Sequence, residues 1–154
     1  MIDALSITRV DPRDAGAIAC LREYYGELDA RFPQGFDVSL SADPEAASLR
    51  PPRGAFLLAL CDGRPVACAG LKGHGAWGEV KRVWVAPERR GQGIARRLMA
   101  AIEEEGRHLG MLHLRLDTNS SLPEAVAMYR GFGWTEIRRF NDDPYPDVFF
   151  ERRL

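Results

Sequence analysis

The sequence predicts a mixed α/β (α+β) fold, and three observations carry that prediction. Between Ala55 and Ala86, apolar runs alternate with tight-turn signals, the pattern of an antiparallel meander. After Pro87 the apolar residues recur at helical spacing. That helical stretch then feeds a cleanly alternating strand, so strand, helix and strand make a right-handed parallel crossover. At 154 residues the chain suits one domain, 1–154, with a single core that needs no metal or disulfide staple.

The elements follow in order. Leu5 to Val10 reads as a short strand, and Asp11-Pro12 starts a helix with Asp as N-cap and Pro at its first position. This helix runs to about Arg31 and stops before Pro33 and Gly35. Asp43-Pro44-Glu45 repeats the start signal for a shorter helix, ended by Pro51-Pro52-Arg53-Gly54. Ala55 to Cys61 and Pro65 to Leu71 are strands joined by an Asp62-Gly63 hairpin turn, and Gly73-His74-Gly75 leads to a third, from about Gly78 to Ala86. Ile94, Leu98, Ala101, Ile102 and Leu109 mark the next helix, with Gly110 at its C′ position. In Met111 to Asp117, Leu112, Leu114 and Leu116 share one face. Ser121-Leu122-Pro123-Glu124 has the form of a capping box for a helix to about Arg130, and Gly131 and Gly133 end it. Strands Trp134 to Phe140 and Val148 to Arg153 finish the chain around the Asp142-Asp143-Pro144 loop. Phe149 and Phe150 on the last strand either complete the sheet or serve a homodimer.

Composition narrows the function. The formal charge is −1, from 21 basic and 22 acidic residues, which argues against a dedicated nucleic-acid binder. Cys20, Cys61 and Cys68 are odd in number and sit among apolar neighbours, so they read as reduced packing residues of a cytoplasmic protein. The start has no basic flank ahead of an apolar run, so no leader is expected, and no stretch has the length of a membrane span. His74, His108 and His113 form no metal-ligand spacing, so no metal is expected.

The chemistry concentrates between Lys81 and Leu98. A strand ends, Gly91 and Gly93 follow closely, and a helix begins. The first turn of a helix offers free N–H groups at a positive dipole end, and glycines let a phosphate approach the backbone. Lys81, Arg82, Arg89, Arg90, Arg96 and Arg97 face one acid, Glu88, in sequence. This suits a multiply phosphorylated ligand; a plain turn with a solvated arginine face fits the same residues. Arg96 stands where a dinucleotide fingerprint needs its third glycine.

Arg90-Gly91-Gln92-Gly93-Ile94-Ala95 resembles the signature of the GNAT superfamily of acetyl-CoA-dependent N-acetyltransferases. The approach through Val83-Trp84-Val85-Ala86-Pro87 is similar to that family. So are Leu116-Asp117-Thr118-Asn119 and Ala127-Met128-Tyr129-Arg130-Gly131-Phe132-Gly133-Trp134. The resemblance covers about Ala55 to Trp134. It implies a sheet of about seven strands with about four helices, whose splayed parallel strands form an acetyl-CoA slot. It implies that the backbone of Arg90, Gly91, Gln92, Gly93, Ile94, Ala95 and Arg96 cradles a pyrophosphate. It further implies that Val83 and Val85 pair with the pantetheine arm and that Asn119 bonds the cofactor. A strand bulge would fit the muddled alternation from Glu79 to Ala86, and so would burial of both faces.

The resemblance also supplies catalytic expectations. The Val85 N–H would face the developing oxyanion, and Tyr129 would protonate the leaving thiolate; packing beneath its helix is the simpler role for Tyr129. Glu79 would be the base, directly or through water, with Asp117 in reserve; a strand salt bridge is the other use of Glu79. Tyr24, Tyr25, Phe36 and Asp117 would meet the acceptor, although such aromatics commonly serve as core. The expected activity is acetyl transfer to a primary amine of a small or amino-acid-like molecule by direct attack. A protein or peptide acceptor, or a non-catalytic CoA-binding module, are the alternatives.

Overall fold

In the computed structural model, which describes residues 4–154, seven strands form one mixed sheet. They are β1 (Leu5–Arg9), β2 (Ala55–Cys61), β3 (Arg64–Gly73), β4 (Trp77–Val85), β5 (His113–Thr118), β6 (Thr135–Ile137) and β7 (Val148–Arg153), in the order β1-β2-β3-β4-β5-β7-β6. The β4–β5 pair is parallel and the others are antiparallel. The helices are α1 (Ala15–Arg31), α2 (Ile94–His108) and α3 (Pro123–Gly131). None of the described helices is long and apolar enough to cross a membrane.

Alternation along the strands explains the two cores. Leu57 and Ala59 of β2 join Leu98 and Ile102 of α2 on one face, while Phe56 and Leu58 join Ala17, Cys20 and Leu21 of α1 on the other. Cys61 and Cys68 are buried as well. Phe149 and Phe150 lie inside the packing, so they complete the sheet and offer no free surface to a second copy.

Four local expectations need correction. Helix α1 starts at Ala15 with Asp14 as N-cap, because the Asp11 carboxylate is spent on a turn: it accepts from the Arg13 N–H at 2.8 Å and from its guanidinium at 2.9 Å. The helix expected after Asp43 shrinks to one 3-10 turn at Ala47–Leu49, so three α-helices are present where four were expected. There Ala46 adopts a left-handed φ of 56°, which α-helix propagation forbids, and Asp43 caps the Ser48 N–H at 2.9 Å. The capping box of α3 does not form: Leu122 is the N-cap and Glu124 pairs with Arg31 of α1 instead. Strand β6 stops at Ile137, where Arg139 turns away to donate to the Pro146 carbonyl at 2.7 Å and ties down the 138–147 loop.

Candidate functional site

The sheet opens where β4 and β5 part. They pair only from Trp77–Val80 against His113–Leu116. Beyond that point β4 bulges: Cys68 faces Trp84 and Gly70 faces Lys81, so three steps on β4 match two on β3. Arg82 takes the extra position with φ 55°. A bulge adds twist and bends its strand, which here carries Val83–Val85 away from β5. The muddled sequence alternation therefore reflects a bulge. The Ala86 N–H donates to the Val66 carbonyl at 2.8 Å, so strand alternation turns the amides of Val83 and Val85 away from β3 and into the opening.

The start of α2 completes this side. Gly91 and Gly93 both have φ 79°, and a side chain at either would meet nothing within 4 Å. Glycine is needed there for the left-handed backbone, not for lack of room. No side chain caps the first turn of α2, which leaves its N–H groups facing a cavity of about 360 Å³. The six basic residues divide. Lys81 binds Asp117, Arg82 donates to the Asp43 carbonyl, and Arg90 bonds the Val85 carbonyl at 2.9 Å and Glu27 at 2.6 Å. Arg89, Arg96 and Arg97 have no carboxylate partner among the described residues, and Arg96 lies 4.5 Å over the Phe132 ring. Burial pushes the Glu27 carboxyl up, but the bonds from Arg90, Trp84 and Arg31 outweigh it and hold it below its ordinary value. Open glycine backbone, uncapped amides and the Arg89 and Arg96 guanidiniums on the cavity wall fit a diphosphate, with the amides of Val83 and Val85 placed to meet an extended arm.

A second cavity, of about 550 Å³, lies on the other side of the bulge. Glu79 is 5% exposed there. One of its oxygens meets His74 Nε2 at 2.7 Å, and the other meets Asn141 Nδ2 at 3.4 Å and Lys81 Nζ at 3.6 Å. Asp117 accepts from Lys81 at 2.8 Å and from Asn141 at 2.7 Å. Burial pulls the Lys81 ammonium down, but Asp117 and Glu79 overcome it and leave its pKa above the usual value. His74 stacks on Trp77 at 4.1 Å.

The two cavities share walls at Tyr24, Val83 and Tyr129. Neither tyrosine hydroxyl has a hydrogen-bond partner among the described residues, and the Tyr129 side chain is buried. Burial, reinforced by Asp117, pushes the Tyr129 phenol well above its normal range; burial, then Tyr129 and Asp117, do the same for Tyr24. Both therefore keep their protons at neutral pH.

Most of the residues singled out by sequence meet at these walls. Val83, Val85, Gly91, Gly93, Ile94, Ala95 and Arg96 line the smaller cavity, and Gln92 is exposed between its glycines. Tyr25, Phe36, Glu79 and Asp117 line the larger one. Asn119 lines it too, with both ends of its amide engaged: it donates to the Tyr145 carbonyl and accepts from the Ser121 N–H, each at 2.7 Å. Sequence reasoning missed Glu27, His74 and Asn141, and the Arg31–Glu124 pair at 2.9 Å that joins α1 to α3. No local motif marks them: Glu27, Asn141 and the Arg31–Glu124 pair act through partners far along the chain, and His74 meets Glu79 only because the turn before β4 folds back on the strand. The Asn141-Asp142-Asp143-Pro144 turn signal was the one available hint.

Comparison with known proteins agrees with this fold. Residues 21–134 match the model of the Acetyltransferase (GNAT) family. An IAA acetyltransferase of Azospirillum brasilense is 32% identical, over 97% of this chain and 98% of its own. A GNAT-family acetyltransferase structure from Staphylococcus aureus superposes with a TM-score of 0.83 at 19% identity, covering 98% and 99% of the two chains. The PaiA N-acetyltransferase of Thermoplasma acidophilum, solved in complex with coenzyme A, superposes at 0.78 with 17% identity, covering 99% and 100%.

Proposed function

The chain belongs to the acetyltransferase (GNAT) family, and from that premise we propose that it moves an acetyl group from acetyl-CoA to the primary amine of a small molecule by direct attack. The observation that carries this reading is the junction of the two cavities, where the hydroxyl of the largely buried Tyr129, with no hydrogen-bond partner among the described residues, stands between a diphosphate-fitting backbone cradle and a carboxylate-lined chamber.

Acetyl-CoA, when bound, supplies the thioester. The rest falls to this chain. The amides at Arg90 to Arg96 hold the diphosphate, and Val83 pairs with the arm. The Val85 N–H is offered to the carbonyl oxygen as charge builds there. The carbonyl of the next peptide unit, Val85 O, is held by Arg90, which anchors the strand end just beyond that amide. Glu79 draws an incoming ammonium into the chamber and accepts its proton, and His74, bonded to the same carboxylate and exposed outside, leads that proton to the surface. As the carbon–sulfur bond breaks, Tyr129 would give its proton to the leaving thiolate and regain one from the attacking nitrogen, which must shed its second proton to become an amide.

The chamber favours a small acceptor over a peptide. The Asp37 N–H donates to the Tyr145 phenol at 2.9 Å, which ties the segment after α1 to the 138–147 loop on the cavity wall and narrows the approach to Glu79. The test is thiol release from acetyl-CoA across a panel of amines. Release that requires an added amine supports the reading. Binding of acetyl-CoA with no turnover on any amine overturns it in favour of a CoA-binding module.

A further inference from the structure

Four rings from three segments meet on the wall of the larger cavity: Tyr25 from α1, Phe32 and Phe36 from the turn behind it, and Tyr145 from the 138–147 loop. Tyr25 stacks on Phe36 at 5.7 Å and Phe32 on Tyr145 at 6.0 Å, while Phe36 and Tyr145 approach to 4.6 Å. These rings are not ordinary core. Phe32, Phe36 and Tyr145 belong to neither hydrophobic cluster, and all four rings keep partial exposure.

Polar bonds nevertheless fix them. The Phe36 N–H donates to Asp29 at 2.9 Å, the Asp37 N–H to the Tyr145 phenol at 2.9 Å, and Asn119 to the Tyr145 carbonyl at 2.7 Å. A half-exposed aromatic wall held by side-chain and backbone hydrogen bonds is pre-organised for a flat apolar partner.

Charge completes the specification. Asp43, Glu79, Asp117, Asp142 and Asp143 line the cavity against Lys72, Lys81 and Arg82. With the Lys81–Asp117 pair cancelling and Arg82 counted in full, the acids still outnumber the bases by two. The chamber therefore favours a cation and disfavours an added carboxylate.

We propose that the acceptor is an aralkylamine: an ammonium on a short aliphatic arm, an aromatic ring seated against Phe36 and Tyr145, and no carboxylate. This rests on the amine-acetylation reading above and names the class of amine.

The experiment compares initial rates of acetyl-CoA-dependent acetylation of phenethylamine, hexylamine and L-phenylalanine by the intact chain. Phenethylamine is expected to exceed hexylamine in kcat/KM by about tenfold, the equivalent of about 1.4 kcal/mol from ring contacts. It is expected to exceed L-phenylalanine by at least roughly tenfold through the carboxylate penalty. Phe36→Leu and Tyr145→Leu each keep apolar bulk, and either is expected to collapse the phenethylamine-to-hexylamine ratio toward unity. Hexylamine matching phenethylamine in the unaltered protein, or L-phenylalanine surpassing it, overturns the aralkylamine assignment while leaving amine acetylation intact. No turnover of any of the three overturns both readings.

Discussion

The two cavities that meet at Tyr129 are built from different materials. In the smaller one the groups that would hold a ligand's polar atoms are chiefly backbone: amides of Val83 and Val85, left-handed glycines at 91 and 93, and the uncapped first turn of α2. The larger one is made of side chains from distant segments: Glu79 of β4, Asp117 of β5, Asn141 of a loop, and rings from the α1 region. A backbone surface recognises what a family of ligands shares, whereas a side-chain surface recognises what distinguishes one ligand from another. The contrast predicts that changes in the first act on cofactor affinity and changes in the second on the acceptor and on proton movement.

The sharpest break of that contrast comes at the shared wall. Tyr129→Phe removes one hydroxyl and no packing, so kcat is expected to fall about 100-fold while the KM for acetyl-CoA moves less than about threefold. Steady-state kinetics on a single good amine checks this. An unchanged kcat would assign Tyr129 to packing alone.

Next in size is Lys81, on the side-chain half. Lys81→Met leaves Glu79 and Asp117 close together with no cation between them, and is expected to cost about 3 kcal/mol in chemical unfolding. Its pKa is raised in the fold, so the stability it contributes is complete below the unfolded value, about 10.4, and is lost as pH climbs through the folded one. Tyr24 and Tyr129 act in the same direction, since their folded pKa values are raised while the unfolded phenols ionise near about pH 10. The melting temperature of the unaltered protein should therefore fall steeply above about pH 10, and more gently in Lys81→Met. A melting temperature that stays level across that window contradicts the buried network.

On the backbone half, Gly93→Ala and Gly110→Ala form a matched pair. Both glycines have φ 79° with open space around them, one before α2 and one after it. Each substitution carries the same left-handed strain, roughly 1–2 kcal/mol. Only Gly93→Ala disturbs the amides at the helix start, so only it is expected to weaken coenzyme A binding, by about tenfold in calorimetry. Equal loss of affinity in both would mean that strain, not amide placement, controls binding. The smallest effect belongs to Arg31→Ala. It opens the α1–α3 pair with Glu124, which is 54% exposed, and should shift stability by less than about 1 kcal/mol in thermal melts.

The same contrast explains what the sequence made legible. Backbone sites are written locally: two glycines two residues apart after a strand announce the left-handed turn, and helical spacing from Ile94 announces α2. The meander of β2 to β4 and the β4–α2–β5 crossover could be read for the same reason. Side-chain sites are written across the fold. Nothing around Asn141 says that it bridges Asp117 and Glu79, residues 24 and 62 positions away. His74 is the exception, since its partner Glu79 is five residues on, and what hides it is the local turn that folds the two together. Local competition misled in the same way: Asp11 and Asp43 carry helix-start chemistry, but their carboxylates close tighter turns where they stand. The Ser121–Glu124 box failed because Arg31, 93 positions from Glu124, offers that carboxylate a charged partner.

Titration of the intact protein with coenzyme A and, separately, with pantetheine tests the central claim most directly. If the amides at the start of α2 grip a diphosphate, coenzyme A gives a saturable heat, and pantetheine, which lacks the diphosphate, binds at least about tenfold more weakly. Pantetheine binding as tightly as coenzyme A, or neither binding at all, would contradict the account.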